Sequence, residues 1–293
     1  MARTQTPLSL EKEIALSAAV PGARKPQHWT DRSWYLLAFP FLLFIAIPLL
    51  AMFLRLSPDD FWKNLRQDQV LTAIRISLIT SLSTVCIAIL LGTPVAYMLS
   101  RRRTRLNRFI DTLIDLPTVL PPAVAGVALL MAFGRRGIVG IWLASLGISL
   151  PFTTPAVIMA QTFIAAPLYI KAATLGFDAV DCELRKAAAL DGANRWQTFR
   201  YVMLPMARTS ILSGSVMTWA RAMGEFGATI IFAGNFPGRT QTMPLAIYLG
   251  FEIDMNVALT LSVILICFAF LTLVLVKGFL HRKVETGLED YYD

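Results

Sequence analysis

Residues 34–54 read Trp34-Tyr-Leu-Leu-Ala-Phe-Pro-Phe-Leu-Leu-Phe-Ile-Ala-Ile-Pro-Leu-Leu-Ala-Met-Phe-Leu54, an apolar run with no charge in it. A helix rises about 1.5 Å per residue, so about 20 such residues cross roughly 30 Å of hydrocarbon. Five further apolar stretches of similar length follow, at about residues 73–99, 113–133, 155–175, 209–232 and 256–280. The expected fold is therefore all-α: a polytopic membrane bundle of six transmembrane helices. The apolar segment 138–150 is too short to cross and reads as an interfacial helix or a re-entrant piece.

Composition agrees. Of 293 residues 56% are hydrophobic and 16% charged, and mean hydropathy is +0.59. Soluble domains lie nearer half apolar and a quarter charged, which excludes an ordinary soluble enzyme and a disordered chain. Lys and Arg number 27 against 19 acidic residues, a net charge of +8. No basic stripe carries interleaved aromatics, so nucleic acid is not the expected partner. Cys86, Cys182 and Cys267 are scattered, and His28 and His281 lie near the two ends. They suggest neither a disulfide framework nor a zinc site.

The basic residues instead orient the chain. Eighteen of them (among them Arg24, Lys25, Arg101, Arg105, Arg185, Arg195 and Arg282) fall in the two tails and in the loops after the second and fourth spans. Six fall on the opposite side: Arg55, Lys63, Arg66, Arg135, Arg136 and Arg239. The positive-inside rule places both termini in the cytoplasm. Residues 1–33 form a polar tail, with a short helix expected around 10–19. Residues 34–280 form the membrane domain, and 281–293 a second cytoplasmic tail.

The spans are not plain lipid anchors. The third holds Pro117, Pro121 and Pro122. Such a segment either kinks within the packing or breaks at about 116–122 and lines a path, with Thr118 beside the break. In the second span Ser77, Ser81 and Thr84 share one face and suit interhelical hydrogen bonds. In the fifth, Ser210, Gly214, Thr218, Arg221 and Glu225 follow helical spacing. Arg221 and Glu225, four apart, can pair. Ionisable groups at membrane depth face the bundle interior or a watery cavity. That face is either a packed ion pair or part of a translocation route.

No phosphate-binding GxxxxGK[ST], GxSxG or HExxH occurs, so the chain carries no recognisable catalytic or ATP-hydrolysing motif and calls for no cofactor. The long loop between the fourth and fifth spans, about 178–205, is the unusual segment. Asp178 or Asp181 can cap a helix that runs through Glu183, Arg185, Lys186, Ala187 and Ala188 to Asp191, and Gly192 suits its left-handed end. A second short helix, 195–203, carries Trp196, Phe199 and Val202 on one side and is expected to close at Pro205. Two small helices with apolar centres and charged rims make a docking element.

Lys186-Ala-Ala-Ala-Leu-Asp-Gly192, followed after nine residues by Val202-Met-Leu-Pro205, resembles the EAA loop of ABC importer permeases. Lys186 stands where that family has Glu. The segments 116–122, 220–229, 232–235 and 237–248 resemble the molybdate-type branch, and the sulfate-type branch has a similar frame. The resemblance implies a membrane-spanning, non-enzymatic subunit of an oxyanion importer in a prokaryotic inner membrane. It implies a second copy of the chain, an ABC ATPase dimer that holds ATP and Mg, and an extracytoplasmic oxyanion-binding protein. It places ATPase docking on Glu183, Arg185, Lys186, Ala187, Ala188, Asp191, Gly192 and Pro205. The outer loop, with Asn235, Arg239, Thr240 and Gln241, would meet the binding protein. An ion-coupled secondary transporter is the competing class; it predicts an inverted repeat and a midplane ion site, and no such repeat is visible.

Overall fold

The computed structural model describes residues 28–101 and 104–289, with side chains from 34–101 and 104–278. The expected helix at 10–19 and most of the N-terminal tail lie outside the described residues. Two compact units are present, divided between Phe53 and Leu54. The first contains helix α1 (His28–Arg55) as far as Phe53, and none of its apolar stretch from Trp34 onward is buried, as a lipid-facing helix requires.

The second unit begins with α2 (Pro58–Leu65), capped by the Ser57 hydroxyl, which accepts from Asp60 N at 3.1 Å. Then come α3 (Asp68–Arg101), α4 (Arg105–Val119), α5 (Pro122–Phe133), α6 (Gly140–Ser145) and α7 (Thr154–Asp178). The chain continues through α8 (Cys182–Leu190), α9 (Arg195–Thr198), a π-helical turn (Phe199–Met203), α10 (Leu204–Met223), α11 (Gly227–Phe232), α12 (Met243–Ile253) and α13 (Met255–Glu289). Every regular element among the described residues is helical. Helix α13 runs on past residue 280, so most of the expected C-terminal tail is helical.

Helix α7 is the centre of this unit and packs against α3 and α10. Its buried face is rich in small residues, Ala156, Ala160, Ala165 and Ala173, which let backbones approach closely. Larger groups fill the end nearer the 178–205 loop: Tyr169, Phe177 and Met203 are fully buried. The hydroxyl stripe of α3 serves packing. Ser77 Oγ accepts from Met243 N at 2.7 Å, Ser81 Oγ accepts from Trp219 Nε1 at 3.0 Å, and Thr84 Oγ1 donates to Gln161 Oε1 at 3.3 Å.

Two expected spans are broken. Helices α1, α3, α7 and α13 are long and apolar enough to cross a membrane singly, and α4 with α5 form a bent pair at 115°. The reason is Pro121-Pro122: neither offers a backbone N–H, and a proline forces the residue before it out of helical geometry. Leu120 is accordingly extended, at φ −65° and ψ 139°. The fifth span stops at Met223 and restarts at Gly227. Helix α10 has the 20 residues a crossing needs, with Arg208 and Arg221 raising its polarity. Segment 138–150 holds only the six-residue α6, far too short to cross.

Candidate coupling surface and broken-helix site

The loop expected to dock a partner is built from local signals. The Asp181 carboxylate accepts from Glu183 N at 2.9 Å and caps α8. At the other end Gly192 sits at φ +83°. Its N–H donates to Ala189 O at 3.2 Å, and Ala193 N donates to Ala188 O at 2.9 Å. This pairing is the Schellman termination, which needs the left-handed conformation that glycine adopts without a Cβ penalty. No residue of α8 is buried: Glu183, Lys186, Ala187, Asp191 and Gly192 are exposed, and Arg185 and Ala188 half-buried. The helix touches the rest of the loop but is largely uncovered, with Leu184 and Leu190 exposed.

The second loop helix differs from expectation. Asn194 and Gln197 form a capping box at its start. The chain does not close at Pro205, which instead sits in the first turn of α10. A π turn, with Leu204 N bonded to Phe199 O, widens the coil just before it. The extra residue in that turn leaves room for a ring that would clash with the preceding turn of an ordinary α-helix. The turn is tied to the bundle by aromatics: Phe199 lies edge-on to Tyr97 at 4.8 Å and 5.9 Å from Phe177. Trp196 leans on Phe199 at 5.6 Å while remaining exposed.

The half-helices of the two broken spans meet. A Cβ on Gly126 of α5 would lie 2.9 Å from Ala228 O, and one on Gly227 would lie 2.7 Å from Pro122 Cβ. The contact is close enough to demand glycine on both sides. Glu225 stands at the break, 1% exposed. One carboxylate oxygen accepts from Arg221 Nη1 at 2.7 Å and the other from Ala228 N at 2.9 Å. The carboxylate therefore bridges the last turn of α10 and the first turn of α11, where the helix N-terminus favours an anion. The sequence indicated the ion pair and missed the break, because a buried acid competing for a backbone N–H looks the same in sequence as one riding a continuous helix.

The remaining path residues divide. Thr118, Pro121 and Pro122 are exposed beside the bend. Gly214 and Thr218 face α7 instead of a cavity: a Cβ on Gly214 would meet Ala172 at 2.7 Å, and Thr218 Oγ1 donates to Ala165 O at 3.3 Å. In the outer loop Arg239 is exposed, whereas Thr240 and Gln241 are buried. Thr240 Oγ1 accepts from Phe236 N at 3.0 Å, and Asn235 Nδ2 donates to Leu245 O at 3.2 Å. Asn235 and Thr240 thus hold the loop's shape through their side chains and Gln241 through its backbone N–H, which donates to Phe236 O at 3.1 Å; of the four, Arg239 is the exposed group.

One charged cluster escaped the sequence reading. Lys171 Nζ of α7 lies 2.5 Å from Asp111 Oδ1 and 2.9 Å from Asp115 Oδ2 of α4, all three roughly one-third to two-fifths exposed. Two acids at i and i+4 on one helix face repel each other and ask for a cation between them. That spacing was the available signal. Among the described residues no group of His, Cys, Asp and Glu could hold a metal.

Comparison with known proteins agrees with this architecture. The chain is 40% identical over 237 residues to the molybdenum transport system permease protein ModB of Mycobacterium bovis, covering 81% of this chain and 90% of that protein. It is 37% identical over 238 residues to the probable transport system permease protein NifC of Clostridium pasteurianum, covering 81% and 83%. Its fold is similar to a chain in the crystal structure of a bacterial alginate ABC transporter in complex with an alginate pentasaccharide-bound periplasmic protein. That match has TM-score 0.67 and 19% identity, and covers 88% of this chain and 96% of the other. The profile of the binding-protein-dependent transport system inner membrane components matches residues 88–288. With that match over most of its length and its several membrane-length helices, the chain belongs to this family of multi-pass transport permease subunits.

Proposed function

We propose that the chain is the permease subunit of an ATP-driven importer of a tetrahedral oxyanion, molybdate first, and works by alternating access. The observation that carries the mechanism is α8, an exposed helix pinned at both ends by its own caps and offered to a partner. The substrate rests on the relatives named above as molybdenum permeases.

In this reading two copies of the chain assemble with an ABC ATPase dimer, which holds ATP and Mg. Both termini and the 178–205 loop face the cytoplasm. Glu183, Arg185, Lys186, Ala187, Ala188, Asp191 and Gly192 form the ATPase-facing ridge. Closure of the ATPase dimer displaces α8 and α9. The Phe199–Tyr97–Phe177 cluster passes that displacement to α3 and α7 as a rigid body, because packed aromatics repack in steps instead of deforming smoothly. The route would run past the bend at Thr118, Pro121 and Pro122 and the Arg221–Glu225 hinge. Arg239 would meet the extracytoplasmic binding protein.

The test is uptake into proteoliposomes that contain the permease and its ATPase, with the binding protein inside or outside. Molybdate should accumulate only with ATP and binding protein present, and excess sulfate should leave uptake unchanged. Uptake driven by an ion gradient without ATP would assign the chain to secondary transport. Equal competition by sulfate would move the substrate to the sulfate branch.

A further inference from the structure

Two cavities adjoin at the α8 end of the bundle and share two walls. One is a chamber of about 850 Å³ whose charged lining is entirely cationic: Arg101, Arg185, Lys186 and Arg195. The other is an apolar groove of about 630 Å³ along α3, lined by Ile89, Leu90, Pro94 and Tyr97, with Phe199 and Leu204 opposite. Arg101 and Arg195 belong to both linings. Neither forms an ion pair within the chain among the described residues. The Arg101 guanidinium lies 4.9 Å above the Tyr97 ring, which turns its charge toward the junction of the two spaces.

We propose that this junction binds one anionic phospholipid from the leaflet on the α8 side. Its phosphate would sit on Arg101 and Arg195, and one acyl chain would lie in the groove along α3. The lengths agree. From Arg101 to Ile89 is about 18 Å of helix at 1.5 Å per residue, and one leaflet contributes about 15 Å of hydrocarbon. The groove wall is open at the surface of the helix: Leu90 is 72% exposed and Ile89 38%. Trp196, exposed at the mouth, is the kind of residue that sits at headgroup level. Basic pockets between membrane helices at the interface recognise anionic headgroups. A soluble anion would use the chamber and leave the groove empty. Only an amphiphile fills both.

The site lies beside the ridge proposed to meet the ATPase, so a bound lipid would brace the π turn against α3 where the loop's movement enters the bundle. The assay is native mass spectrometry of the full-length protein in mild detergent, exchanged against phosphatidylglycerol or phosphatidylcholine of identical chains. The wild type should retain phosphatidylglycerol in preference. Arg101→Gln with Arg195→Gln should lower that preference about 30-fold, two basic contacts being removed. Arg101→Lys with Arg195→Lys should keep most of it and shows that charge, not misfolding, is responsible. Leu90→Trp, at an exposed position, should fill the groove and reduce retention of both lipids. Millimolar glycerol phosphate should leave the bound lipid in place.

Three results would overturn the proposal. One is unchanged preference in the Gln pair. Another is displacement of the lipid by glycerol phosphate with no effect of Leu90→Trp, which would leave a simple anion site. The third is equal retention of both lipids by the wild type with weakened co-purification of the ATPase in the Gln pair, which would give the chamber to an acidic segment of that partner. ATP-driven uptake in zwitterionic vesicles tests the importer reading separately.

Discussion

Arg221→Met should destabilise the protein more than Glu225→Gln, and the two together should cost less than their sum. Glu225 is 1% exposed, and its carboxylate has the Arg221 guanidinium at 2.7 Å and Ala228 N at 2.9 Å. Breaking a buried ion pair costs about 3–5 kcal/mol when a charge is stranded. The Arg221 side chain is 36% exposed, so water screens part of the loss and about 2 kcal/mol remains for Arg221→Met. Glu225→Gln keeps an oxygen for Ala228 N and frees a guanidinium that can turn to water. Its cost is the charge-assisted part of one hydrogen bond, about 1 kcal/mol. In the double variant a neutral amide still caps α11 and no charge is stranded, so the total should fall to about 1 kcal/mol, a coupling of about 2 kcal/mol.

The assay is thermal unfolding in detergent for both singles and the double, where about 2 kcal/mol corresponds to roughly 4–8 °C. Equal singles with an additive double would refute the reasoning. Uptake by the double variant then separates packing from transport: recovered stability with poor uptake places the pair on the route, and full uptake reduces it to a hinge fastener.

Three further outcomes are expected. At Gly192 an added Cβ meets nothing within 4 Å, so the cost of Gly192→Ala is conformational, about 1–2 kcal/mol. Gly192→Asn should be milder, and hydrogen exchange across 182–190 with ATPase stimulation should rank them Gly, Asn, Ala; equal effects of Asn and Ala would deny the left-handed requirement. Lys171→Met strands Asp111 and Asp115 and should lower the melting temperature by a few degrees, about 1 kcal/mol for a half-exposed cluster. Adding Asp111→Asn and Asp115→Asn should restore it, and failure to do so would mean Lys171 acts through packing alone. In a cysteine-free background, Arg66→Cys and Arg239→Cys should react with an impermeant reagent in intact cells and Arg103→Cys should not. Labelling at 103 would reverse the proposed orientation.

The capped helix of the 178–205 loop was readable residue by residue because each signal acts locally. A capping acid binds an N–H two residues away, and Gly192 fits the end of its own helix. The break after Leu120 was readable as one of two outcomes, since Pro121 and Pro122 remove two donors wherever they sit. Pro205 misled for the opposite reason. A proline also suits a first helical turn, and only the π turn before it, packed on Tyr97 and Phe177, decides that α10 begins there. Thr240 and Gln241 looked like contact groups because polar residues in an outer loop are usually exposed. Their burial depends on Phe236 and Gly234 folding back onto them.

What the sequence by itself determined is set by the bilayer and by short-range hydrogen bonding: the membrane-length apolar segments, the hydroxyl stripe of α3, the pairing of Arg221 with Glu225 and the capped helix of the loop. A segment must satisfy its own backbone in hydrocarbon, so its length and apolarity suffice to reveal it. Tertiary structure alone decided that Glu225 bridges the end of one helix and the start of another, that Gly214 and Thr218 are closed off by α7, and that Lys171 sits between Asp111 and Asp115. Thr218 and Lys171 meet groups on other helices 53 and 60 residues away along the chain, and the Glu225 carboxylate, although only three residues from Ala228, reaches its N–H because the chain breaks between them. Periodicity gives the face a residue lies on, while the group that face meets is set by how the helices pack.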